Sequence, residues 1–97
     1  RSLIMGKRIS EMDVFEQGIR DNPHHYNVVL FQPVKNSRIG KSFTDISEAI
    51  EYGTSVVSDD SKIRAAMVYA IDENNHHALC GTVNRFNKTY KEVEVRI

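Results

Sequence analysis

Ser61-Lys62-Ile63-Arg64-Ala65-Ala66-Met67-Val68-Tyr69-Ala70-Ile71-Asp72-Glu73-Asn74-Asn75-His76-His77-Ala78-Leu79-Cys80-Gly81-Thr82-Val83-Asn84 is where the chain changes period, and the change decides the fold. Ile63, Met67, Tyr69 and Ile71 alternate with Ala66, Val68 and Ala70, which predicts a strand apolar on both faces and central in its sheet. Residues 72–77 are polar and supply its turn. Leu79, Gly81 and Val83 then alternate with Cys80, Thr82 and Asn84, as in a half-buried strand. After a turn at Phe86-Asn87-Lys88, Val93, Val95 and Ile97 face one way and Glu92, Glu94 and Arg96 the other. Three strands in succession with short turns form a meander.

Upstream, the period is helical. Asp45-Ile46-Ser47-Glu48 has capping-box spacing, and Ile46, Ala49, Ile50, Gly53 and Val57 keep one face small or apolar. Ser58-Asp59-Asp60-Ser61 breaks that helix. An earlier helix is expected over residues 11–20, with Ser10 as its cap, Ile9 stapled onto Val14, and Asp21-Asn22-Pro23 as its stop. Between the helices, residues 26–31 are β-branched, aromatic and apolar on both faces, a strand suited to cover on both sides. Pro33 ends its pairing. Residues 34–42 are polar and read as a loop, or as a hairpin with a short edge strand.

The expected fold is therefore α+β, in the order α-β-(β)-α-β-β-β. Two helices lie on one face of an antiparallel or mixed sheet of four to five strands. The five positions expected to be buried deepest are Val29, Ile50, Met67, Val68 and Val83. Residues 1–8 are expected to be disordered or a cloning remnant ahead of a start at Met5, leaving 9–97 as one small domain.

Bulk composition narrows the function classes. The chain has 97 residues, 40% hydrophobic and 27% charged, which suits one globular core. Thirteen basic and thirteen acidic residues cancel, removing the electrostatic footprint of a nucleic-acid binder. No apolar run approaches the roughly 20 residues that span a bilayer. The single cysteine permits no internal disulfide, so a reducing, cytoplasmic setting is expected.

Four features could carry chemistry. Residues 35–42, Lys35-Asn36-Ser37-Arg38-Ile39-Gly40-Lys41-Ser42, resemble the phosphate loop of nucleoside triphosphatases in their last three positions, but Lys35 stands where the loop's first glycine belongs. Lys35, Arg38 and Lys41 remain an anion-binding candidate, because they precede the amino end of the second helix. Asp45, near the same end, counts against it.

His25, His77 and Cys80 are the candidate metal ligands, since imidazole and thiolate suit zinc, although their spacing matches no standard pattern. Exposed histidines and a small packed thiol are the plainer reading. A thiol nucleophile could be drawn from Cys80 with His77 or His25, oriented by Asp72, but nothing in the spacing requires it.

Met12, Phe15 and Ile19 form the fourth feature, a narrow stripe on a helix weakened by Gly18, which makes that helix an interface candidate. The expectation is a non-enzymatic protein-binding or regulatory module of the kind frequent among phage and mobile-element accessory proteins. Its partners would be a second copy, as a homodimer, and an unidentified protein. No cofactor or membrane is expected, and nucleic acid enters only in the alternative reading, an anion or nucleic-acid binder using residues 35–41; a small metal-dependent or thiol enzyme is the third.

Overall fold

A computed structural model describes residues 11–93. The chain runs α1 (Glu11–Asp21), β1 (His25–Gln32), β2 (Lys35–Phe43), α2 (Ile46–Asp59), β3 (Ala65–Ile71), β4 (His77–Asn84) and β5 (Tyr90–Glu92). The expectations for residues 1–8, the Ser10 cap, the Ile9 staple, and Val95 and Ile97 in the last strand lie outside the described residues. No helix among the described residues is long and apolar enough to cross a membrane.

The five strands form one antiparallel sheet in the order β2-β1-β3-β4-β5. The polar segment after β1 is a nine-residue edge strand, returning through a two-residue turn at Pro33-Val34 that pairs Gln32 with Lys35. Serine, glycine and lysine are poor strand formers, but the backbone groups of β1 need a partner, and pairing outweighs weak propensity. α2 then carries the chain over β1, so that β2 and β3 flank it. The β3–β4 turn is built on Asp72, whose carboxylate accepts the Asn74 and His76 amides at 3.0 and 2.8 Å, while Asn75 takes the left-handed conformation (φ 68°) that asparagine tolerates.

Both helices pack on the same side of the sheet. Val28 and Leu30 of β1, Ala66, Val68 and Ala70 of β3, and Ala78, Cys80 and Val83 of β4 are buried against Ala49, Gly53 and Val57 of α2 and Ile19 of α1. Small residues set the distance: a Cβ added at Gly53 would lie 3.1 Å from the Ala66 Cβ, so the glycine lets α2 seat close to β3. At its carboxyl end, Arg85 donates to the Val57 and Asp60 carbonyls at 3.3 and 3.4 Å, meeting orphan acceptors with positive charge. α1 is tied down by Arg20, whose Nε donates to the Leu79 carbonyl at 2.7 Å.

Three sequence expectations change. Val68 and Val83 are fully buried, but Val29 and Met67 are only partly so. They pair with each other on the sheet face that no helix of the described residues covers. Ile50 packs at the margin of the core. Asp45 sits at the amino end of α2 in extended backbone, yet its side chain makes no cap hydrogen bond, since an exposed carboxylate is as well served by water. Finally, the β3–β4 register shifts between Val68 and Tyr69, leaving Cys80 unpaired with β3. That bulge reverses the alternation: Leu79 faces away from Gly81 and Val83, and Cys80 joins the core.

Candidate functional site

Because α1 and α2 share one side, the other side of the sheet is, among the described residues, a surface built mainly from strand residues. Its rows follow from register, since residues directly opposite in a ladder share a face. Ser42, Asn27, Tyr69 and Leu79 form one row; Ile39, Val29, Met67, Thr82 and Lys91 the next; Phe31 and Ala65 a third; His25, Ile71 and His77 close one end. The central strands contribute no Asp, Glu, Lys or Arg to it. Phe31 is 40% and Ile39 58% exposed, large values for such side chains.

Two side-chain contacts lie on this face. Ser42 Oγ donates to Asn27 Oδ1 at 2.5 Å, and the His77 ring meets Tyr69 edge-on with centroids 5.5 Å apart. Asn27, Val29, Ile39, Tyr69, Ile71, Asn75 and His77 enclose a shallow depression of about 340 Å³. Phe31 stands beyond Val29 along β1, so the face carries a projecting aromatic at one end and a hollow at the other.

The metal candidates fall on both sides of the sheet. His25 and His77 register with Ile71 from opposite sides of β3, two strand spacings or about 10 Å apart. His25 contacts its neighbour instead, with the Nδ1 atoms of His24 and His25 2.9 Å apart. Cys80 points into the core beneath the helices. The sheet therefore separates the thiol from both imidazoles. Among the described residues no group of three His, Cys, Asp or Glu side chains is placed to hold a metal ion.

The same burial disarms the thiol. Burial pushes the Cys80 pKa up, more than the Arg20 guanidinium beside it pulls it down. Cys80 lines a recess of about 270 Å³ with Arg20, Tyr26, Ile46 and Glu92. Burial also raises Tyr26, with lesser help from Cys80 and Asp45. Tyr90 is pushed up to about 12, chiefly by burial, then by Cys80 and Glu92. Its hydroxyl is buried without a hydrogen-bond partner among the described residues. Among the described residues no imidazole lines this recess, and the Glu92 carboxylate that does raises the thiol's pKa further.

Lys35, Arg38 and Lys41 are placed on β2. They register opposite Gln32, Leu30 and Val28, on the helix-bearing side of the sheet. Six residues of strand spread them over about 20 Å, so they line an edge rather than converge on one point. The strand's pairing with β1 also removes the wrapped loop that a phosphate cradle needs. Lys41 Nζ lies 5.5 Å from the Phe43 ring and 6.0 Å from that of Tyr52, within cation–π range.

The stripe on α1 divides. Ile19, 3% exposed, belongs to the chain's own core, whereas Met12 and Phe15 are 61% and 48% exposed. Phe15 meets the His76 ring edge-on at 5.1 Å. With Ile19 committed inward, only Met12 and Phe15 of that trio remain for an interface.

The sequence reading passed over Phe31, Ile39, Met67 and Tyr69 as surface residues. The usable signal was apolarity on both faces of β1 and β3 together with only two helices to cover them. No protein-family model matches the chain, and neither a curated protein nor a solved structure does.

Proposed function

We propose that this protein is a non-enzymatic binding module that self-associates through the open face of its sheet, in a regulatory role and in a reducing compartment such as the cytoplasm. One observation carries the reading: the face with Val29, Phe31, Ile39, Met67 and Tyr69 is apolar and free of charge on its central strands, while both helices lie on the other side. Contiguous apolar surface of several hundred Å² is costly to leave in water and commonly marks an interface.

A second copy suits this face. Burying it desolvates no charge of β1 or β3, and two such sheets can pack about 10 Å apart with their strands roughly 30° from aligned. A two-fold axis near the Val29–Met67 pair would bring Phe31 of each copy toward the hollow beside Tyr69 of the other, which is the self-complementarity an isologous interface requires. The catalytic alternative is the weaker reading, because burial raises the Cys80 pKa and no imidazole lines its recess among the described residues.

Light scattering across a dilution series tests this. The wild type should be a dimer in the high micromolar range, with a thermal midpoint that rises with concentration. Phe31→Asp and Ile39→Asp, which place charges on exposed positions of the face, should give monomers, while Phe15→Asp on α1 should leave the mass unchanged. A wild-type monomer at several hundred micromolar, or dissociation by Phe15→Asp alone, would refute the assignment.

A further inference from the structure

The outer edge of β2 offers a docking surface that borders the open face at Ile39. Among the described residues β2 pairs only with β1. It is nine residues long, whereas β5 at the other edge has three. A strand edge of that length presents unpaired amides and carbonyls along about 30 Å. It carries Lys35, Arg38 and Lys41 and no acid. Among the described residues, no carboxylate forms an ion pair with any of the three.

Spacing of three residues would ordinarily point these side chains to alternate sides of a strand. Two register irregularities in the β1–β2 ladder, between Val28 and Val29 and between Leu30 and Gln32, bring all three to the helix-bearing side. The opposite side of the strand presents Ile39. One side of this edge thus carries the three cations, and the other carries Ile39 and Ser42.

Edge lysines commonly guard against aggregation, and here the pattern disfavours two registers of pairing with a second copy. In antiparallel self-pairing about Arg38, Lys35 would face Lys41 and Arg38 would face itself. In parallel in-register pairing every cation would face its twin, and like charges directly opposite are destabilising. The arrangement that repels the chain itself attracts an acidic strand.

We propose that the β2 edge binds an extended segment of another protein, alternating acidic and apolar residues, which adds to the sheet as a sixth strand. Its amides and carbonyls would pair with those of β2. Its carboxylates would lie beside Lys35, Arg38 and Lys41, and its apolar residues beside Ile39. Face-to-face dimerisation leaves this edge open.

A fluorescein-labelled heptapeptide of alternating glutamate and valine, followed by anisotropy at low salt, is the probe. Saturable binding is expected, weakening as salt rises. The combined change Lys35→Ala, Arg38→Ala and Lys41→Ala should weaken it about tenfold, the loss expected of a few exposed ion pairs. The same peptide N-methylated at alternate residues should not bind, because strand addition needs its amides. Binding should persist in Phe31→Asp, so that failure of self-association and failure of this proposal are told apart. The proposal is overturned by absence of saturable binding at low salt, by equal binding of the N-methylated peptide, or by a single-stranded oligonucleotide that displaces the peptide at lower concentration than unlabelled peptide does.

Discussion

Val28 and Val29 are neighbours on β1 that differ mainly in which side of the sheet they face. Val28 is fully buried under α2, where a Cβ at Gly53 would stand 3.6 Å from its Cγ1; Val29 lies on the open face opposite Met67. Changing each to alanine deletes the same atoms and the same strand propensity, so the difference between the two isolates burial. For Val28 the transfer loss is about 1.6 kcal/mol for two carbon groups. A poorly collapsing cavity adds up to about 1 kcal/mol. Val28→Ala should therefore cost roughly 2–3 kcal/mol, from lost burial plus the cavity.

Val29→Ala should cost under about 1 kcal/mol in the monomer, because its side chain already borders water and leaves no enclosed void. The assay is urea unfolding at high dilution in the Phe31→Asp background, comparing midpoints at a common slope. In concentrated wild type, the cost of Val29→Ala should grow as the face is covered by a second copy. Equal losses for Val28→Ala and Val29→Ala in the dilute monomeric background would mean that both sides are covered within one chain. That result would refute the one-sided core.

Two further outcomes concern Tyr90 and Cys80. Tyr90→Phe should leave stability unchanged or raise it, since it removes a buried hydroxyl without a partner; a loss above about 1 kcal/mol in urea unfolding would reveal a hydrogen bond to that oxygen. Cys80 should react slowly with an aromatic disulfide reagent at mildly alkaline pH and completely in denaturant, because burial both shields the thiol and raises its pKa, whereas rapid reaction of the folded protein would contradict the packing of β4.

The periods of the chain determined its elements. The capping-box spacing and small face at 45–57 marked α2, and the alternation from Ile63 onward marked β3 and β4; these local patterns were enough for the α+β order. They did not determine β2, because Lys35-Asn36-Ser37-Arg38 lacks strand propensity and becomes a strand only when β1 offers it a ladder. Nor could alternation place Cys80. A bulge inserts one residue without a sequence marker here, and it put Cys80 on the same side as Gly81 and Val83, in the core.

The largest difference concerns cover. Val28-Val29-Leu30-Phe31 and Ala65-Ala66-Met67-Val68 are apolar on both faces, and sequence alone reads such a strand as enclosed. Sheet order places both strands at the centre, and the close seat of α2 on Gly53, with α1 anchored by Arg20 to β4, commits both helices to one side. A helix covers only the face it packs on. The second apolar face, which the residues encoded from the start, thus became the candidate binding surface through tertiary packing.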